Sequence, residues 1–166
     1  MKKLLTASLP LILVAGVIAV SAYQLSLSSL SFFHLALILT YIVWLLFEMK
    51  ISIKDSSESH VSFDRLTREF YAAGQAAVVL SAIFFMQSPS AWMQYAGSAV
   101  FIAGLIVRIS AVQYLGIYYS HKARLIKSHK IITAGPYSVI RHPAYAGMVL
   151  AHLGLVIAFY SPVAAG

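Results

Sequence analysis

Five long apolar runs, at about Leu4–Tyr23, Leu30–Phe47, Phe70–Met86, Trp92–Tyr114 and Tyr145–Tyr160, decide what this chain can fold into. A helix needs about 20 mostly apolar residues to cross the hydrocarbon core of a bilayer. The runs therefore predict an all-α, multi-pass membrane bundle of about five transmembrane helices, forming a single integral membrane domain over residues 1–166. The third and fifth runs are short, which implies little tilt or partial insertion. Composition agrees: 60% of the residues are hydrophobic and 10% charged, against roughly 25% charged in a soluble domain.

Charge placement gives an independent count of the crossings. All five acids (Glu48, Asp55, Glu58, Asp64, Glu69) and four bases (Lys50, Lys54, Arg65, Arg68) fall between the second and third runs. Residues 115–144 add Lys122, Arg124, Lys127, Lys130 and Arg141 without an acid, and Lys2 and Lys3 begin the chain. The linkers at 24–29 and 87–91, on the other side of an alternating path, carry no charge. Basic residues concentrate on the cytoplasmic side of membrane proteins. The N-terminus and both large loops are thus expected in the cytoplasm and the C-terminus outside.

The first run also fits a signal peptide, with basic Met1-Lys2-Lys3, an apolar Leu9–Val20 region and small residues at Val20-Ser21-Ala22. A retained helix is favoured, because the apolar run outlasts the usual length of such a region. The absence of cysteine excludes disulfides, thiolate zinc sites and thiol nucleophiles. The net charge of +7 is spread over loops beside a membrane. It is better matched to anionic lipid headgroups than to nucleic acid, which is not expected as a partner.

No fixed-period repeat or low-complexity tract occurs. Residues 48–69 are polar and Ser-rich and are expected to be a solvated connector, with a helix start at Ser62 or Asp64. Residues 115–144 mix aromatic, basic and β-branched side chains and end in Gly135-Pro136-Tyr137 and Arg141-His142-Pro143. They are expected to form ordered polypeptide at the membrane surface.

Two features have chemical potential. Arg108 interrupts an apolar run with a guanidinium that does not deprotonate. It either snorkels from the cytoplasmic end of the fourth helix or serves an anion or polar cavity. The second feature is the stretch from Gly135 to Gly147. Pro143 disfavours helix at His142 and is suited to open the next one, placing Arg141 and His142 at a helix N-terminus. Free N–H groups there, with Arg141, suit a carboxylate or other anion. Tyr137 and Tyr145 offer flat faces to an aromatic or cationic ligand. Gly147 permits close approach of a ligand or a neighbouring helix. The same residue types also serve as ordinary interfacial anchors, and spacing does not separate the two uses. His34 and His152 lie in apolar runs and are expected to pack or to bond between helices. His121 and His129 are too far apart for a helical ligand pair. No P-loop, G-x-G-x-x-G or H-E-x-x-H pattern is present.

The pieces Arg108-x-x-Ala111, Leu115-Gly116 with Tyr119-Ser120, Gly135-Pro136-Tyr137 and Arg141-His142-Pro143-x-Tyr145-x-Gly147 together resemble the integral membrane methyltransferases of the isoprenylcysteine carboxyl methyltransferase and phospholipid methyltransferase group. The likeness covers about 40 residues. It implies a helical membrane fold binding S-adenosylmethionine at the cytoplasmic face, with a lipophilic small-molecule or lipidated substrate entering from membrane lipid. By the same resemblance His142, Tyr145 and Gly147 line the cofactor pocket, with Ile131, Ile132, Gly135 and Tyr137 beside the adenosine. Arg141 is assigned to anionic groups and Arg108 to substrate or a structural ion pair. Methyl transfer from a sulfonium mainly needs positioning and desolvation, so no protein nucleophile is required.

In that family a further hydrophobic segment and an Arg/Glu-bearing stretch follow the motif helix, whereas these residues end at Ser161–Gly166. This predicts a fragment, a site completed from elsewhere, or an inactive scaffold. Two other functions stay open at this level. One is an NADPH-dependent sterol-type membrane reductase, whose related signature commonly places an acid after the final glycine where Met148 stands here. The other is a non-catalytic membrane protein.

Overall fold

The computed structural model describes residues 2–27, 30–58, 67–87, 90–116, 119 and 133–160. Every regular element among them is helical: α1 (Lys2–Ser26), α2 (Phe32–Glu58), α3 (Thr67–Phe84), α4 (Ala91–Leu115), a 3-10 turn (Gly135–Ser138) and α5 (Pro143–Phe159). The expected all-α class holds, and each apolar run lies within a helix or overruns its end by no more than two residues. Phe32–Ile51 and Ala91–Leu115 are long and apolar enough to cross a membrane, while Leu11–Ser26, Ala72–Phe84 and Pro143–Phe159 are shorter apolar helices. Two compact units emerge, the first built from α1–α3 and the second from α4, the 3-10 turn and α5.

In the first unit α1 packs on both α2 and α3. Its buried stripe, Leu13, Val17, Ser21 and Gln24, follows the three-to-four-residue spacing of one helix face. The partners are Leu37, Ile38, Tyr41, Trp44 and Leu45 of α2 and Val79, Ala82 and Ile83 of α3. Gln24 does more than fill space. Its Nε2 donates to the carbonyls of Ile83 at 2.9 Å and Phe84 at 2.7 Å, two of the last-turn acceptors that a helix cannot satisfy itself. Tyr23 stacks on Phe84 at 5.8 Å beside it. Gln24→Leu keeps the volume and removes the donor. It should destabilise the protein by about 1–3 kcal/mol in denaturant titration in detergent, whereas Ser26→Ala on the exposed side should fall within about 0.5 kcal/mol of the parent.

Residues 48–58 correct an expectation. They are not a connector, because α2 runs on to Glu58. The stretch contains no Gly or Pro to stop a helix, and Trp44 Nε1 donates to Glu48 Oε1 one turn on at 3.1 Å. The expected helix start at Ser62 or Asp64 lies outside the described residues. His34 packs as expected, at 4% exposure, and also bonds locally. Ser31 Oγ and His34 Nδ1 lie 2.8 Å apart, and the Ser31 N–H donates to the same nitrogen at 3.3 Å. This reciprocal pair closes the start of α2, with imidazole in the role that Glu or Gln plays in a capping box.

The second unit rests on small residues. Gly97, Gly104 and Ala111 recur every seven residues along α4, and Gly147 with Gly154 and Ala144 with Ala151 and Ala158 do so along α5. A Cβ on Gly97 would lie 2.3 Å from the Ala158 nitrogen, one on Gly104 2.3 Å from the Ala151 nitrogen, and one on Gly154 2.2 Å from the Phe101 nitrogen. Rising numbers on α4 thus meet falling numbers on α5, so the helices are antiparallel and their main chains touch. Lipid supplies no hydrophobic drive between helices, and close backbone packing is the alternative source of attraction. His152 bonds within its own helix, its Nδ1 2.8 Å from the Met148 carbonyl.

Candidate functional site

The antiparallel register brings the C-terminal turns of α4 beside the first turns of α5. At Gly147, a Cβ would stand 2.6 Å from the Arg108 nitrogen and 2.8 Å from the Gly104 carbonyl. The close approach left open by the sequence is therefore, at Gly147, approach to α4. Arg108 is 2% exposed. Its guanidinium does not snorkel outward: Nη2 donates to the Tyr119 hydroxyl, and Cζ lies 5.2 Å from the centre of the Tyr119 ring, within cation–π range.

The 3-10 turn packs against the same end of α4. Gly135 takes a φ of +60°, which disfavours side chains, and a Cβ there would come within 2.5 Å of the Tyr114 ring. Ser138 Oγ donates to the Gly135 carbonyl at 2.7 Å, and the N–H of Ile140 to that of Pro136 at 3.0 Å. Tyr137 is half-buried in this turn. Burial pushes its phenol above the usual tyrosine value, opposed by the positive charge of Arg108.

His142 follows with φ −131° and ψ 63°, outside the helical region that a following proline disfavours. Pro143 is buried as the first residue of α5, and the Ala146 N–H donates to the His142 carbonyl at 3.1 Å. The rings of His142 and Tyr145 meet edge to face, 6.5 Å between centroids at 69°. Both side chains are exposed, as is Arg141. The structure therefore sorts the expected residues into two sets: a buried Arg108 with its phenols, and an outer face of Arg141, His142 and Tyr145. Ile131 and Ile132 lie outside the described residues. Tyr114 and Tyr119 were not singled out for a role by sequence reasoning, although Tyr119 stands in one of the quoted motif pieces.

Residues 97–165 match the "Isoprenylcysteine carboxyl methyltransferase (ICMT) family". This segment of the chain is similar to that family. It is 32% identical over 76 residues to protein-S-isoprenylcysteine O-methyltransferase B of Arabidopsis thaliana, covering 45% of this chain and 39% of that protein. To protein-S-isoprenylcysteine O-methyltransferase A of the same plant it is 30% identical over 76 residues, with the same coverage. The corresponding enzyme of Tribolium castaneum is 31% identical over 74 residues, covering 43% of this chain and 26% of the relative. The aligned part thus amounts to well under half the length of these relatives. No solved structure matches the chain.

Proposed function

We propose that this chain is an S-adenosylmethionine-dependent methyltransferase. Its acceptor is a lipophilic molecule, a prenylated cysteine carboxylate or a lipid headgroup, at the cytoplasmic face of a multi-pass, single-domain membrane protein. The observation that supports this most is the meeting, at one end of the α4–α5 pair, of the motif pieces inside the matched segment. Arg108 touches Gly147, Gly135 rests on Tyr114, and His142 adjoins Tyr145.

The outer face fits the chemistry of the cofactor. Its carboxylate suits the N-terminal turn of α5, where the first N–H groups lack helical acceptors and Arg141 adds charge. Its sulfonium and adenine suit the exposed rings of His142 and Tyr145 and the phenol of Tyr137. When bound, S-adenosylmethionine supplies an already activated methyl group. The residues of the chain then have only to bind, orient and exclude water. Arg141 orients anionic groups, His142 and Tyr145 flank the ligand, and Gly135, Tyr137 and the neighbouring Ile131 and Ile132 take the adenosine side. Arg108 serves the acceptor. Gly147 contributes through the packing that brings Arg108 under this face.

Calorimetric titration of the detergent-solubilised protein should show binding of S-adenosylmethionine and none of NADPH. His142→Ala should weaken that binding by about 10-fold, or ~1.4 kcal/mol. No binding by a protein of native helical content would overturn the reading, and an unaffected His142→Ala variant would overturn the site.

A further inference from the structure

Val139 and Ile140 have no role in the outer face described above, yet they are 85% and 41% exposed, side by side between the 3-10 turn and the polar pair Arg141-His142. Their main chain is already closed. The N–H groups of both donate to the Pro136 carbonyl, at 3.3 and 3.0 Å, and the Tyr137 N–H donates to the Ala134 carbonyl at 3.3 Å. A segment whose donors are satisfied internally can leave water for lipid without stranding them, which is the condition hydrocarbon imposes on any backbone. Helix length points the same way. α4 has 25 residues, about 37 Å of helix, whereas α5 has 17, about 25 Å of helix. The hydrocarbon core of a bilayer is about 30 Å thick. α5 therefore falls short of a thickness that α4 exceeds, and a short span draws on the residues that flank it. The 3-10 turn packs on the end of α4, which keeps the aliphatic pair beside the helix ends. No Asp or Glu occurs from 89 to 160, so no carboxylate of this stretch has to be desolvated as the turn meets lipid.

We propose that Val139 and Ile140 form a membrane-interface anchor: the turn ahead of α5 dips its aliphatic pair into the headgroup–acyl boundary of the bilayer and extends the short α5 towards bilayer thickness. The occupant of this apolar surface is lipid, not the prenyl chain of an acceptor and not a second copy of this chain. Arg141 and His142, polar and exposed directly after the pair, set the depth, because they hold the turn at the headgroups and keep it out of deeper hydrocarbon. The anchor places the outer face at headgroup level, where a lipid-embedded group and a water-soluble one can meet. It stands on backbone bonding and helix length and is independent of the methyltransferase reading.

The sequence contains no cysteine, so Val139→Cys offers a single attachment point for a nitroxide spin label. The full chain is reconstituted in vesicles of phosphatidylcholine and phosphatidylglycerol and probed with oxygen, which concentrates in hydrocarbon, and with a water-soluble nickel chelate. Val149→Cys, at a position 64% exposed on α5, gives the hydrocarbon reference, and the same label on free cysteine gives the aqueous one. The oxygen-to-nickel collision ratio at Val139 should stand several-fold above the aqueous reference and below the value at Val149. A ratio equal to the aqueous reference overturns the proposal, because the turn then stands in water. Shielding from both reagents overturns it in favour of a protein partner. Immobilisation of the Val139 label by added N-acetyl-S-farnesylcysteine, with the Val149 label unaffected, overturns it in favour of an acceptor chain. Ile140→Cys repeats the measurement should Val139→Cys lack native helical content.

Discussion

Gly104→Val should destabilise the protein by more than ~3 kcal/mol, the upper end of what overpacking usually costs. The reason is the nature of the neighbours. The first added carbon would fall 2.3 Å from the Ala151 nitrogen and 2.7 Å from both the Ala151 Cα and the Gly147 carbonyl. These are main-chain atoms of a helix and no rotamer change moves them away. The two helices must part along their length, undoing the contacts at Gly97, Gly147 and Gly154 as well. Gly74 is the internal control, since a Cβ there meets nothing within 4 Å. Gly74→Ala should stabilise α3 by about 0.5–1 kcal/mol, because alanine loses less backbone freedom on forming a helix. Denaturant titration in micelles, followed by helical circular dichroism, separates the pair. Equal midpoints for Gly104→Val and the parent would show that α4 and α5 do not pack in this register.

The glycine interlock also shows where sequence reasoning stops. The seven-residue recurrence of Gly and Ala is visible along both segments, but its meaning depends on which glycine faces which alanine, and register is a property of two helices. On sequence grounds Gly147 therefore suits a ligand or a neighbouring helix equally well. The positions of the helices were legible because apolar run length is local information set by bilayer thickness. The overrun of α2 to Glu58 was not, because continuation past an apolar run depends on the absence of helix breakers and on contacts such as Trp44 to Glu48. The burial of His34 is legible from its apolar surroundings, whereas its capping pair with Ser31 is not, because an imidazole in that role is unusual. At the site, the proline-opened helix follows from the local chemistry of Pro143, whereas the exposure of His142 and Tyr145 does not. The direction of Arg108 did not follow, because it is decided by Tyr119, eleven residues on and beyond the helix end.

Arg108→Met should leave the fold standing and remove acceptor chemistry, and that combination separates a functional arginine from a structural one. Methionine retains an unbranched stem, and the Arg108 main chain that approaches Gly147 is unchanged. Removing the guanidinium takes the Nη2 donor from the half-buried Tyr119 hydroxyl, and stranding one partner of a buried polar contact costs about 1–3 kcal/mol. Melting temperature should therefore fall modestly while helical content stays at the parent value. Methylation of an S-farnesylated cysteine by a preparation that binds S-adenosylmethionine should fall by about 100-fold, the loss expected when a charge-assisted contact of ~3 kcal/mol is deleted. Affinity for S-adenosylmethionine should change by less than about 2-fold, since the residues assigned to it lie on the outer face with Arg141, His142 and Tyr145. Arg108→Ala removes the stem too and should lose stability as well as turnover, so the difference between the two variants isolates packing from charge. Turnover that survives Arg108→Met would make the buried cation a structural element held by its phenols. The acceptor carboxylate would then have to be met by Arg141, the other basic residue of the motif.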